Sequence, residues 1–265
     1  MKCPVCFKEG NKEKFGLYVK CSLCQTLFLI KPPKKKIIQK TSNLLANTII
    51  NRNNKKTLYV QKKRIKTLNC YLPKKSTVLD VGCGNGLFLE LAKSEGLNSF
   101  AMDISPAIIK HLKNKGIEGY TNMSEIPNNK FNAITSFDVI EHTTNPDKFI
   151  KDMKKKLKKD GFIMITTPNL LGISGKILKD KWWVFGAENH FILFSPTSLK
   201  IKLKNNGFKI IYYKTDLLTQ WFIPNNTSIK KILNKIQYMI FFPIQKLAAK
   251  KLLGDNIEIL AKKNN

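Results

Sequence analysis

The feature that most constrains the fold is a short apolar run followed by three closely spaced glycines. Residues 78–86 read VLDVGCGNG and residues 87–92 read LFLELA. Alternate glycines let the main chain turn sharply and let a ligand approach bare backbone at the start of a helix. We therefore predict a strand, a ligand-binding turn containing Gly82, Gly84 and Gly86, and an amphipathic helix.

The carboxylates around this turn narrow the class of ligand. Asp80 immediately precedes the turn, and Asp103 ends the next predicted strand, where an acid can hold ribose hydroxyls. The glycines do not follow the GxGxxG spacing typical of dinucleotide sites, and Asp80 would repel a pyrophosphate. A ligand that carries positive charge and no phosphate fits better, which favours S-adenosylmethionine.

Four motifs in order resemble those of the class I S-adenosylmethionine-dependent methyltransferases. They cover residues 78–86, 103–105, 131–142 and 157–169. The resemblance spans residues 55–216 and the last strand near 256–262, and it is closest to the branch of ubiquinone-biosynthesis O-methyltransferases and cell-envelope small-molecule methyltransferases. It implies an α/β fold: a Rossmann-like, seven-stranded, mostly parallel sheet with helices on both faces and an antiparallel last strand. The cofactor-binding residues that the turn and the motifs suggest are Asp80, Gly82, Gly84, Gly86, Asp103, Ile104, Met123 and Phe137.

The hydrophobic pattern supports the same architecture independently. Apolar strands are predicted near residues 77–81, 98–103, 117–121, 131–137, 162–167 and 208–215, alternating with helical segments. Asn145 and Pro146 form the start signal of a helix that we expect to end before Gly161. The six strands and a last one over residues 256–261 give the seven-stranded sheet.

Two cysteine pairs predict a small metal-binding module at residues 1–31. Cys3 and Cys6 form one CxxC turn, and Cys21 and Cys24 form another. Four thiolates in this arrangement suit tetrahedral Zn²⁺, which would be structural because no coordination position remains open. Two disulfides are the alternative, disfavoured without an export signal. The other two cysteines, Cys70 and Cys83, are expected to be small buried side chains.

Two further segments lack a clear place in the core pattern. Residues 32–54 are predicted to be a linker or a helical lid over residues 55–265, the methyltransferase domain. Residues 217–255 are predicted to be a helical insertion before the last strand. Within it, the basic amphipathic stretch 228–253 could rest on an anionic membrane, although packing over the pocket or at a dimer interface is favoured.

Histidines are the candidate bases if the methyl acceptor is a hydroxyl. His142 follows the fourth strand of the predicted sheet, and His190 lies in the acceptor-side segment after the fifth. We expect one of them, with His190 slightly preferred, to be the base. Each could instead hold a loop, and Glu141 is a further candidate with a structural alternative. His111 is expected to be a solvated surface residue.

The charge leaves three function classes open. The chain has 47 basic and 18 acidic residues, a formal net charge of +29, but only Arg52 and Arg64 are arginines. This lysine bias suggests compositional drift more than selection for binding an anionic partner, because proteins that read specific nucleic-acid sequences favour arginine. We predict a cytoplasmic enzyme that methylates a small-molecule, glycan or lipid-linked acceptor. The alternatives are an rRNA or tRNA base methyltransferase and a non-catalytic zinc-ribbon binding protein.

Overall fold

Two sheets organise the chain in the computed structural model, which describes residues 2–9, 12–33, 35–51, 55–178, 182–186, 189–216 and 252–264. The strands in these ranges are β1 (Lys12–Phe15), β2 (Tyr18–Cys21), β3 (Leu27–Leu29), β4 (Thr77–Val81), β5 (Asn98–Met102), β6 (Glu118–Tyr120), β7 (Phe131–Phe137), β8 (Leu157–Pro168), β9 (Ile192–Leu193), β10 (Phe208–Asp216) and β11 (Asn256–Lys263). The helices are α1 (Lys35–Ile50), α2 (Lys55–Asn69), α3 (Leu87–Ser94), α4 (Pro106–Lys113), α5 (Pro146–Lys156), α6 (Ile173–Leu178), α7 (Trp183–Gly186) and α8 (Pro196–Asn205).

The larger sheet has seven strands in the order β10-β11-β8-β7-β4-β5-β6. Strands β4 to β8 are parallel, and β11 pairs antiparallel with both β8 and β10. This confirms the predicted Rossmann-like sheet with an antiparallel last strand. The order turns back at β4, so the carboxyl ends of β4 and β7 lie side by side, where α/β proteins of this kind bind ligands.

Helices cover both faces because the strands alternate their buried side chains between two hydrophobic clusters. Leu79 and Val81 of β4 pack in the cluster that includes α5 and α8, whereas Val78 packs in the cluster of α1 to α4. A strand buried on both faces is expected from an almost continuously apolar sequence. The start of α5 is as predicted, with the Asn145 side chain accepting from Lys148 N–H, but Gly161 lies inside β8 and does not end the helix.

The cysteine-rich module does not form a sheet by itself. Strands β1, β2 and β3 are antiparallel, and β9, from the segment after β8, pairs with β3 as the fourth strand. Cys3, Cys21 and Cys24 also pack in the cluster of α5 and α8. We call residues 2–33 the ribbon; the boundary at residue 31 stays a prediction, since the ribbon shares its sheet with the larger domain.

The predicted linker contains a sixteen-residue helix, α1. Ala46 of α1 is buried among α2 to α4, and Ile49 lies next to the glycine turn. A lid function remains a prediction. Most of the predicted insertion, residues 217–251, lies outside the described residues, as does nearly all of the amphipathic stretch 228–253. None of the helices in the described ranges combines the length and apolar character needed to cross a bilayer.

Candidate functional site

The glycine turn joins β4 to α3 with all three glycines in left-handed conformations. The φ angles are 74° at Gly82, 54° at Gly84 and 78° at Gly86. A Cβ at Gly82 or Gly86 would overlap the side chains of Val139 and Leu112 respectively, so these two glycines are required by protein packing. Gly84 differs, because among the described residues a Cβ placed there would meet only Ile49 of α1, at an ordinary contact distance of 3.4 Å. The Gly84 backbone therefore lies against α1.

Asp80 lies buried beneath the turn. Its Oδ1 accepts a hydrogen bond of 2.7 Å from Thr135 Oγ1 on β7, and only 3% of the residue is exposed. Burial raises the pKa of Asp80 to about 7, against the opposing effects of the Thr135 hydrogen bond and of the Arg64 charge. A carboxylate in this condition is stabilised by any cation that approaches it.

Asp103 follows β5 and provides a second buried carboxylate. Oδ1 accepts from Ser105 N–H at 2.9 Å, and Oδ2 accepts from Gly84 N–H at 3.4 Å. Burial raises the pKa of this carboxyl as well, and its charge contributes to the raised pKa of Asp80. Two shielded carboxylates next to the glycine turn fit a ligand with positive charge. The carboxylates of Asp80 and Asp103 therefore fit the cationic ammonium and sulfonium groups of S-adenosylmethionine.

The other three predicted cofactor residues divide between the two faces of the sheet. Ile104 and Met123 pack against the cluster of α5 and α8. Phe137, at the end of β7, packs against the opposite cluster and meets Phe88 edge to face, with ring centroids 5.0 Å apart. The fold thus groups Ile104 with Met123 and separates both from Phe137.

Arg64 is a buried residue of this region that is not among the predicted site residues. It lies on α2 with its guanidinium carbon 4.1 Å from the centre of the Phe137 ring, and its Nε is 3.1 Å from Glu258 Oε2 on β11. One sequence signal could have identified it. In a chain whose other basic residues are nearly all lysine, an arginine indicates a position that needs a planar, always-charged guanidinium group. Arg64 holds α2, β7 and β11 together behind the cofactor region.

His142 and His190 come together beside the end of β7. Their ring centroids are 4.9 Å apart, and the rings are tilted by 38°. His142 Nδ1 lies 2.6 Å from the carbonyl oxygen of Asn189, and His190 Nδ1 lies 2.8 Å from that of Val184. A carbonyl only accepts, so both Nδ1 atoms carry hydrogen when the rings are neutral. In this tautomer the lone pair of each ring lies on Nε2.

Burial keeps both rings neutral at physiological pH. It lowers the pKa of His142, and burial together with the neighbouring His142 lowers the pKa of His190 to about 4. His190 is 4% exposed, while His142 is half-buried. Two charges this close would repel each other, so the pair takes up one proton more readily than two.

Glu141 is the third residue of this group. It is 1% exposed, and Thr167 Oγ1 donates to its Oε2 at 2.9 Å. Burial and the nearby Asp138 raise its pKa well above the ordinary value. The possible ligand atoms of Glu141, His142 and His190 all lie within 4.8 Å of one another. At that separation the three side chains can share one proton or surround one small cation.

The remaining candidate residues have other surroundings. His111, on α4, is half-buried rather than solvated and is not part of the histidine group. Trp182, which precedes α7, is 2% exposed and packs in a hydrophobic cluster with Tyr18 and Val184. Cys83 is buried as expected, whereas Cys70 is exposed. It lies one residue past α2, whose turn at this point faces solvent.

The four ribbon cysteines fit a tetrahedral metal ion. Cys3 Sγ lies 3.6 Å from Cys24 Sγ, and Cys6 Sγ lies 3.8 Å from Cys21 Sγ. Zinc–sulfur bonds of about 2.3 Å at tetrahedral angles place sulfurs about 3.8 Å apart. Hydrogen bonds from Cys3 and Thr26 hold the pKa of Cys24 at about 5 despite its burial, so one thiolate is already favoured.

Comparisons with known proteins identify similar sequences and similar folds. A family model described as a methyltransferase domain matches residues 53–213. The ubiquinone biosynthesis O-methyltransferase of Pelagibacter ubique is 30% identical over 176 residues, covering 58% of this chain and 72% of that protein. The Rickettsia canadensis enzyme of the same name is 27% identical, covering 51% of this chain and 64% of its own length.

Solved structures share the fold. A SAM-dependent methyltransferase from Archaeoglobus fulgidus is 23% identical with a TM-score of 0.55, over 78% of this chain and 94% of that one. Phosphoethanolamine N-methyltransferase 2 of Haemonchus contortus, in complex with S-adenosyl-L-methionine, is 16% identical with a TM-score of 0.59, over 90% of this chain and 62% of that one. At these identities the likeness is one of architecture.

Proposed function

Since the chain belongs to the class I S-adenosylmethionine-dependent methyltransferases, we propose that it methylates a hydroxyl oxygen of a small-molecule acceptor and that the His142–His190 pair takes the hydroxyl proton. The observation that carries the proposal is the pair itself. Both rings are neutral, and both direct Nδ1–H to a backbone carbonyl, which is the tautomer with the lone pair on Nε2.

Proximity to the cofactor turn supports this role. Val139 packs against Gly82, and the turn Ile140–His142 follows directly, so His142 is three residues from a contact of the glycine turn. When bound, S-adenosylmethionine supplies a methyl group activated on a sulfonium. The enzyme then needs mainly to align the acceptor and to accept its proton near the moment of transfer.

The cofactor residues have distinct proposed tasks. Asp80 and Asp103 attract the positive groups and ribose hydroxyls, and Gly82, Gly84 and Gly86 shape the turn whose backbone the cofactor contacts. Ile104, Met123 and Phe137 are proposed apolar contacts. Glu141 is proposed as a positioning residue, because its buried carboxyl is held by Thr167 and borders both histidines.

The small-molecule acceptor is supported by the names of the relatives and by the histidine pair. RNA as acceptor receives less support, because Arg64, the one arginine in the described part of the chain, is only 7% exposed and is paired with Glu258, which leaves it unable to reach a phosphate. Within the ribbon, we propose that Cys3, Cys6, Cys21 and Cys24 hold one structural Zn²⁺. Glycan acceptors, membrane contact and the cytoplasmic location remain predictions from sequence.

The test offers S-adenosylmethionine with a labelled methyl group together with separate pools of phenols, sugars, amines and transfer or ribosomal RNA. Label in the phenol or another hydroxyl pool identifies the acceptor class. With that acceptor, His142→Ala and His190→Ala are compared in single turnovers, with His111→Ala as the matched control. Loss of a general base lowers the chemical step by about 10²- to 10⁴-fold, with cofactor affinity nearly unchanged.

Two results would contradict the proposal. Label that enters only RNA would promote the nucleic-acid alternative. Rates close to wild type in both histidine variants would show that alignment alone drives the transfer.

A further inference from the structure

The ribbon and the segment that carries His190 form one structural unit. Strand β3 pairs with β9, which begins two residues after His190, and Leu29 N–H donates to the Phe191 carbonyl at 2.9 Å. A hydrophobic cluster closes around this junction. It contains residues from the ribbon and from the acceptor-side segment, namely Tyr18, Leu27, Trp182, Val184 and Leu193.

Tyr18 makes the most direct connection to the histidine pair. Its hydroxyl donates to the backbone carbonyl of His190 at 2.9 Å, and the side chain is buried. The His190 ring is in turn held at Nδ1 by the Val184 carbonyl. His190 is therefore fixed at two points. Tyr18 of the ribbon binds its backbone carbonyl, and Val184, which packs in the same cluster as Tyr18, binds its ring.

The cysteine turns are connected to both ends of this arrangement. Tyr18 and Cys21 are the first and last residues of β2, so a metal that fixes Cys21 fixes the strand that carries Tyr18. At the other end, Ser195 Oγ donates to the Cys24 carbonyl at 3.1 Å while it caps α8. The segment from His190 to Ser195 is thus hydrogen-bonded to the ribbon at both of its ends. Tyr18 binds the His190 end, and the Cys24 carbonyl binds the Ser195 end.

We propose that the ribbon is part of the acceptor site, that Tyr18 is a positioning residue for His190, and that metal binding by the four cysteines keeps the His190 ring in its proton-accepting orientation. This rests on the proposed role of the histidine pair as the base. The metal takes no direct part in the methyl transfer. Its effect passes through β2, the Tyr18 hydroxyl and the His190 carbonyl.

The test observes the histidine rings directly and needs no acceptor. The full chain contains only His111, His142 and His190, so a long-range ¹H–¹⁵N spectrum of histidine-labelled protein has three ring systems. His111→Gln and His190→Gln assign them. In the zinc-loaded chain we expect the His190 ring as the Nδ1–H form, with a slowly exchanging Nδ1 proton. The same spectrum is recorded for Tyr18→Phe and for the chain treated with a chelator.

Tyr18→Phe should shift the His190 signals and speed exchange of its Nδ1 proton by about two- to tenfold, the range for loss of one buried hydrogen bond. Chelation should produce a larger change of the same kind, with the His111 signals unchanged. Tyr59→Phe, an exposed tyrosine on α2, is the matched control and should change nothing. Calorimetry with S-adenosylmethionine should give the same affinity in all samples.

Two outcomes overturn the proposal. One is His190 signals that stay the same after elemental analysis confirms that zinc has been lost. The other is loss of cofactor binding together with the histidine change, which would make the ribbon a general requirement for folding. Failure of the base role is separate, because it is read from methyl-transfer rates in His190→Ala and leaves these spectra unaffected.

Discussion

Cofactor binding should be coupled to a proton on Asp80. The buried carboxyl has a pKa of about 7 before a ligand arrives, so it is half protonated at pH 7. A folded-state pKa above the unfolded value of 3.8 means that the ionised form is penalised, and this penalty grows as pH rises from 3.8 to 7. A bound ammonium or sulfonium offsets the penalty and lowers the pKa again.

The magnitude follows from that shift. If the cation lowers the pKa of Asp80 by about two units, the coupling is about 2.7 kcal/mol, since one unit corresponds to about 1.36 kcal/mol. Affinity for S-adenosylmethionine should then rise about tenfold between pH 6 and pH 8, and binding at pH 7 should release about half a proton. Asp80→Asn should weaken binding by about tenfold at pH 6 and about 100-fold at pH 8.

Isothermal titration calorimetry measures both quantities, because proton release makes the apparent enthalpy depend on the ionisation enthalpy of the buffer. The amino group of the ligand titrates near pH 8 by itself, so the comparison is the ratio of wild type to Asp80→Asn at each pH. Thr135→Val is a second variant, because it removes the hydroxyl that donates to Asp80 and should raise the pKa further. Equal pH dependence in wild type and Asp80→Asn would refute the coupling.

Three further predictions concern the framework. Gly86→Ala should destabilise the fold by about 1–3 kcal/mol, because the new Cβ meets Leu112 at a φ of 78°; chemical denaturation measures this, and Gly96→Ala, with a similar φ but open surroundings, gives the strain alone. Hydrogen bonds from Lys151, Asn206 and Lys202 outweigh burial and hold the pKa of Asp147 at about 2. After a discount for solvent screening at this surface site, about 1 kcal/mol of stability should be present above pH 3.8 and disappear as pH falls to 2, and Asp147→Asn should lack this loss. Elemental analysis should find about one zinc per chain, and none when Cys21 is replaced by Ser.

The sequence was most informative where local chemistry and global fold agree. The glycine turn, with Asp80 before it and Asp103 after the next strand, required a strand–turn–helix unit. Six of the seven strands of the larger sheet lie close to their predicted ranges, whereas β8 begins at Leu157, five residues before its predicted start. The cysteine turns were equally clear, because few other structures need two CxxC pairs. In both cases, the residues that define the structure are neighbours in sequence.

The sequence was least informative where the contact is long-range or depends on burial. Strand β9 is only two residues long, so no periodicity could mark it, and its pairing with β3 was not foreseen. Arg64 is one of only two arginines among 47 basic residues, but only the fold places it on Phe137. The histidine tautomers depend on which carbonyls face the rings, which is a property of packing.

The pairing of β3 with β9 also has a consequence for biosynthesis. The ribbon leaves the ribosome early, but the strand that completes its sheet comes from residues 192–193. At synthesis rates of about 5–20 residues per second, several seconds or more pass between the synthesis of β3 and that of β9. During this interval one edge of β3 is unpaired. Exposed edges invite wrong pairing with other chains. Zinc captured by the cysteines in this interval would hold the hairpin in shape until its partner strand arrives, so zinc supply during translation should affect the yield of folded chains.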